Sequence, residues 1–583
     1  MNWRARQRGA TFIDAVVGTA LMLLVFLGLF GVIRLALLSV GLGKAKTGAI
    51  ALATEQIEFV RSLSYNNVAV VGGIPAGTIP QVETVTLNNV PYTRRTFVQF
   101  IDAEADGIGG DDENGIPADY KIAKVDVSWQ FQNVIRTVSL ITNVVPKGIE
   151  TVEGGGTLAL SVVDAAAIPV SGASIHIVNT TVSPGIDLMT YTGVSGLAYL
   201  PGAPTSTGYQ ITVTKAGHST DKTYTATTTN PNPNPGHLTV VEDTITSSTF
   251  RIDLLGSILV RSFDPIRTAT WTDPFVDISQ VESQSGLSVG GGTVALFFDG
   301  AVYTTQGLLT ATTVAPTYLF GWKQAEFIAS TPASTTVEVS VEYDTGTGYA
   351  SVPDAVLPGN AAGFVTSPID LSSLATSTYA RLRLGGDFRT SNTSETPTLS
   401  EWSIIYDEGP IPKPGVAFML RGAKTIGTDG GGLPIYKYQS ALTTDAEGVF
   451  DVLDIEWDAY TLTLGATETG LSVFHVCPFI PFGLAPGAAQ TVDVILVPQT
   501  TNTLLVSVLD DVGIPLPDAS VHLTKTGYDT TVVTSACGQS FFENLQAAAT
   551  YTLDVSALGH DPYTILNVSI SGQTTVNVVL NAS

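Results

Sequence analysis

From Ala15 to Ile33 nineteen residues run apolar, with Thr19 the only clearly polar member. A run of that length spans a bilayer as one helix. This end of the chain must therefore be anchored in lipid or packed against copies of itself. Residues 1 to 9 carry Arg4, Arg6 and Arg8 and no acid. An ordinary secretory signal has a shorter apolar core followed by small residues at the cut. Here the small residue, Gly9, stands before the apolar run, so the candidate cut lies after Gly9 and the mature chain begins at Ala10. A carboxylate, Asp14, sits at the edge of the apolar segment, where it is costly unless it finds a partner. Helical spacing continues through Gly48 to Arg61. One helix from Ala10 to about Leu63 would be about 80 Å long at 1.5 Å per residue. Gly28, Gly31, Gly41, Gly43 and Gly48 leave it room for close packing.

At roughly 150 residues per domain, 583 residues make about four domains. A 44% hydrophobic content is enough to bury cores, which excludes general disorder. With 27 basic against 52 acidic residues the chain carries −25, the wrong sign for a nucleic-acid partner. The two cysteines, Cys477 and Cys537, allow at most one disulfide and exclude a Cys-rich metal module.

The stretch Gly9-Ala10-Thr11-Phe12-Ile13-Asp14 resembles the type IV prepilin and pseudopilin signature. The family usually has Phe where this chain has Ala10 and Glu where it has Asp14. The resemblance implies cleavage after Gly9 by a prepilin peptidase, methylation of the new N-terminus, and residence in the inner membrane before assembly into an extracellular filament with other pilin subunits. It also implies that Asp14 pairs with an N-terminal amine and draws subunits into register. The alternative is an uncleaved single-pass anchor with Asp14 among lipid headgroups.

After residue 64 the pattern changes to alternation: Val82 to Leu87, Tyr92 to Ile101, Ile122 to Phe131 and Ile135 to Val144 read as strands. A helix on such an antiparallel sheet, residues 64–148, is similar to a pilin head. Between two of its strands seven acids and no base lie from 102 to 119. Repulsion among them is relieved by a hard cation with six to eight oxygen ligands. Asp102, Glu104 and Asp106 with Gly107 and Glu113 follow the calcium-loop spacing, and Asp111 adds a ligand. The expectation is a Ca2+ site without EF-hand helices; a solvated acidic loop is the alternative.

The rest of the chain repeats. Pro169-Val170-Ser171-Gly172-Ala173-Ser174-Ile175-His176 matches Pro515-Leu516-Pro517-Asp518-Ala519-Ser520-Val521-His522, and His218 matches His560. A Gly followed 12 or 13 residues later by Tyr recurs at Gly196/Tyr209, Gly448/Tyr460 and Gly538/Tyr551. Short strands between turn residues over 80 to 100 residues are a sandwich pattern. These segments, 152–254, 413–498 and 500–583, resemble the carboxypeptidase-regulatory-like or Cna-B-like family of Ig-like stalk domains. Some relatives carry a Lys–Asn isopeptide bond; neither Thr157 to Val163 nor Thr503 to Leu509 contains a Lys, so none is expected in the outer two copies. The paired histidines read as inherited strand and turn positions rather than metal ligands.

Residues 255–410, with Trp271, Trp322 and Trp402, read as a larger jelly-roll-like sandwich whose tryptophans belong to its core. Glu408 to Gly415, with three prolines, reads as a stiff linker. The two cysteines fall in adjacent modules beside turn residues, and outside the cell a paired thiol persists. The expectation is a Cys477–Cys537 bridge; the alternative is that each is a small buried hydrophobe. No nucleophile elbow, zinc-binding His-Glu-x-x-His or phosphate loop appears, and the chain reads as non-enzymatic. The fold class is mainly β with a long N-terminal helix, and the function a minor or tip pilin-like subunit whose sandwiches meet an adhesive target. The competing reading is a membrane-anchored surface protein whose central sandwich binds glycans.

Overall fold

The computed structural model describes residues 12–101, 119–146, 155–466, 470–547 and 550–583. A single helix, Phe12–Ser62, precedes a chain that is otherwise almost wholly β. Its first half, from Val16 to Val40, carries exposed Leu, Val and Phe side chains. Its second half buries Ala45, Ala49, Leu52, Ala53 and Ile57 against Tyr92, Val125, Val127 and Trp129. Those partners lie on a four-stranded antiparallel meander, Val82–Leu87, Val90–Ile101, Tyr120–Phe131 and Val134–Val144. Gly48 is required at this contact, because a Cβ there would stand 2.6 Å from the Tyr92 hydroxyl, which donates to the Ala45 carbonyl.

Three modules follow that share one plan, an opening strand paired with a parallel last strand, to which the second adds Leu471–Cys477 on the far side of its last strand. In the first, Gly156–Val163 lies between Leu197–Ala203 and a parallel last strand, Ile245–Arg251. Facing it is a second sheet built on Ser174–Asn179, Ile186–Tyr191 and Ser206–Thr214. The third module repeats the plan: Thr503–Asp510 between Gln539–Phe542 and the parallel Gln573–Leu580, opposite Ser520–Lys525, Tyr528–Val533, Thr550–Ser556 and Tyr563–Ser569. Each sandwich encloses its own apolar core.

The second module departs from the sequence expectation. Its opening strand is Gly256–Asp264, paired with Val449–Ile455 and, in parallel, with Ala489–Pro498. Ile258 and Val260 share a core with Val416, Phe418, Tyr460 and Val492. The boundaries 255–410 and 413–498 are therefore corrected: the second module is discontinuous, and the larger sandwich is inserted into it. That inserted domain runs from Arg267–Asp273 to Thr398–Glu408, strands that pair with each other, and consists of two facing sheets. Trp322 and Trp402 are buried in its core, with Trp271 packed against it. The physical reason is closure: apart from its last two residues, which meet Ile411–Pro412, the alternating strand at 256–264 lacks partners until residues 449–498 return beside it.

Candidate functional site

The described residues present an apolar helix surface for attachment and repeated contacts that hold each module together. The helix offers the attachment surface. Leu24, Val25 and Phe30 are each about two-thirds exposed, and the most apolar window of Thr19–Ser62, of mean hydropathy 2.6, buries none of its residues. A surface of this kind suits a membrane anchor or a signal sequence. Gly9 and Ala10 lie outside the described residues, as do Asp102, Glu104, Asp106, Asp111 and Glu113. Asp14 falls in the first turns of the helix, with its side chain outside what is described. Beside the acidic segment, Lys121 is buried, donates to the Tyr65 carbonyl at 2.9 Å and stands over the Tyr65 and Phe100 rings. Burial pulls its pKa down to about 8.

Cohesion within each module comes from a repeated set of contacts. Gly196, Gly448 and Gly538 all have positive φ, and the carbonyl of each accepts a hydrogen bond from the opening strand, at Val162, Ser262 and Val508. A Cβ on Gly538 would meet the Val508 carbonyl oxygen at 2.5 Å. The tyrosines that follow, Tyr209, Tyr460 and Tyr551, are all buried. The Tyr209 and Tyr460 hydroxyls donate to nearby carbonyls, Pro204 and Glu456. Thr192, Thr444 and Thr534 form a third repeated element, each accepting a hydrogen bond from the backbone of Ala173, Val416 or Ala519. The matched histidines bond carboxylates diagonally across the neighbouring strand: His176 with Asp187 at 2.7 Å and His522 with Asp529 at 2.8 Å. His218 and His560 each bond a carbonyl two residues back, closing a module end.

The turn after the opening strand carries the insertion. In the first module Asp164 accepts from the amides of Ala166 and Ile168, and Val163 bridges Pro169. In the third, Asp510 accepts from Val512 and Ile514, and Leu509 bridges Pro515. In the second, Phe263 pairs with Pro412 and Asp264 with Ile411. The same Asp, Ile and Pro thus frame all three turns, but in the second module the turn is opened and the Asp264 carboxylate pairs with Lys413 at 2.7 Å. Just beyond, Arg267 pairs with Glu408 in register and as an ion pair at 2.8 Å. The segment from Glu408 to Pro412 is therefore one side of a two-stranded neck, which corrects the reading of Glu408 to Gly415 as a stiff linker between separate domains. The opening strand of the second module also contains no Lys; Arg261 stands there in a two-pronged ion pair with Asp493 on the last strand, at 2.6 and 2.7 Å.

Junctions between modules are specific. Cys477 and Cys537 form a disulfide between the second and third modules, with Cα atoms 5.7 Å apart. Around it, the Gln539 side chain accepts from the Val476 amide at 2.7 Å, Phe474 packs on Phe541, and Ser535 bonds His475. Burial lowers the His475 pKa, against an opposing pull from Asp493. The first and second modules meet where Asn232 and Pro233 pair with Thr428 and Gly427, and where Asn230 donates to the Ile426 carbonyl. Thus the asparagine–proline loop is a docking strand. The head meets the first module through Ile74, which enters that module's core, and through the Gly72 carbonyl, which accepts from the Asp187 amide. Apart from the two cysteines, nothing in the local sequence pattern marks these contacts.

Comparison with known proteins matches residues 503–581 to the carboxypeptidase regulatory-like domain family. No curated protein sequence matches the chain. Among solved structures it is similar to the Bacillus anthracis TIE protein, at 10% identity over 87% of this chain and 76% of that one, TM-score 0.16. It is also similar to GBS52, the minor pilin of Streptococcus agalactiae, at 14% identity over 30% of this chain and 86% of that one, TM-score 0.13. A third is BcpA, the major pilin subunit of Bacillus cereus, at 10% identity over 74% of this chain and 100% of that one, TM-score 0.13. At such scores these likenesses carry no part of the argument. What the fold and the family match define is a long apolar helix joined to Ig-like β-sandwich modules, of which the C-terminal one is carboxypeptidase-regulatory-like.

Proposed function

We propose that this chain is a type IV pilin-like subunit, minor or at the tip, that displays β-sandwich modules outside the cell for adhesion. The observation that carries the reading is the division of one helix into two halves. Its first half exposes a largely apolar surface and its second half packs on a four-stranded sheet, the arrangement of a subunit that waits in a membrane and then joins a bundle of like helices. The basic leader, Gly9 and Asp14 supply the processing and assembly features. Prepilin peptidase, inner-membrane lipid and other pilin subunits are its proposed partners in turn, and a surface or glycan its adhesive target. Ca2+ held by the acidic segment is proposed to stiffen the head. The test is filament incorporation: Asp14→Ala subunits should be processed yet excluded from filaments, and Asp14→Glu should restore them. Normal incorporation of Asp14→Ala would remove the charge pairing from the account.

A further inference from the structure

Tension along this chain would not reach all of its domains equally, because the strands that carry the chain into and out of each module are paired in a particular sense. In all three modules the opening and last strands are neighbours and parallel: Thr157 to Val163 beside Ile245 to Arg251, Ser257 to Phe263 beside Ala489 to Ile495, and Thr503 to Asp510 beside Gln573 to Leu580. Pulling the start of one strand away from the end of its parallel neighbour loads every hydrogen bond between them at once, as shear. In the second module the Arg261–Asp493 pair lies across that same strand pair.

The inserted domain meets the chain differently. It is entered after Asp264 and left before Ile411, side by side at the neck, and its own first and last strands are antiparallel from Arg267–Glu408 onward. Force on that neck would separate the strands one hydrogen bond at a time. While the parallel pair holds, the load crosses from the opening strand to Ala489–Pro498 and bypasses the neck; load that enters through the Cys477–Cys537 bridge reaches Leu471–Cys477, which is itself paired with Ala489–Pro498.

We propose that the three modules form a load-bearing line and that the inserted domain is carried beside it, shielded until the second module gives way. The inference rests on strand topology alone, not on the pilin reading, and either can fail without the other.

Single-molecule pulling of the full chain in detergent, with a handle at each end, tests it. The 267–408 segment should lengthen the chain by about 51 nm at about 3.6 Å per residue. That step should always follow rupture of the second module and occur at lower force. Arg261→Ala should lower the force of the preceding rupture without changing the order. Cross-linking the neck with Asp264→Cys and Ile411→Cys, confirmed by mass, should abolish the 51 nm step until reductant is added. A 51 nm step that comes first, or that survives the cross-link, overturns the proposal.

Discussion

Asp264 and Ile411 face each other across the neck of the inserted domain, in the positions that Asp164 and Ile168 occupy at a turn where they are only four residues apart. A module that tolerates a whole sandwich at this turn must keep its core independent of the loop. The second module does so, closing its sheet through Val449–Ile455 and Ala489–Pro498 rather than through the turn.

The Cys477–Cys537 bridge spans a sequence separation of 60, worth about 4 kcal/mol on the chain-entropy argument. Cys477→Ser with Cys537→Ser should lower the melting temperature of the last two modules and leave the first unchanged. In the unreduced native chain, alkylation should find no free thiol; two alkylated cysteines would rule the bridge out.

Glycine at 538 is demanded by both backbone and space, whereas Gly513 in the same module has positive φ but open surroundings. Gly513→Ala should cost about 1 kcal/mol, the strain alone, and Gly538→Ala at least about 2 kcal/mol. Denaturant titration of the two variants gives the comparison, and equal costs would contradict the close approach to Val508.

Burial at the disulfide junction lowers the pKa of His475. Between its folded and unfolded values the unfolded chain binds more protons, so stability rises with pH there. The junction should therefore be fully stable above about pH 6.5 and weaken as pH falls below it. His475→Gln should flatten that acid limb in melts between pH 7 and 5; an unchanged limb would assign it elsewhere.

Calcium at millimolar concentration should raise the melting temperature of the intact protein. A hundredfold excess over Kd corresponds to about 2.7 kcal/mol. Replacing Asp102, Asp106 and Glu113 with their amides should remove the effect, and no shift in the native chain would leave only a solvated loop.

Where sequence and structure agree, the signal was local. The apolar run and the alternating strands of the head each carry their own periodicity, and the outer modules are continuous enough for Pro169 and Pro515 to align with their surroundings. The insertion escaped because Gly256–Asp264 reads as a strand of whatever follows it, while its partners lie beyond residue 410, most of them from 449 onward. A signal was present nonetheless: Asp164 with Ile168-Pro169, Asp510 with Ile514-Pro515, and Asp264 with Ile411-Pro412. Placing the last pair in that series reveals the opened turn. The docking of Asn230 to Pro235 on the second module had no comparable signal, because Asn232–Pro233 is too short and proline-rich to show a strand pattern, and the strand it joins, Thr425–Thr428, already has a partner in its own module, Pro434–Tyr436.

The most direct measurement of the central claim is the N-terminal sequence and mass of the protein recovered from cells, alongside electron microscopy of the cell surface. The account predicts a mature chain that begins at Ala10 and is found in filaments, with Gly9→Ala accumulating at full length in the membrane. A chain that keeps Met1 and forms no filaments would contradict it and leave a membrane-anchored surface protein in its place.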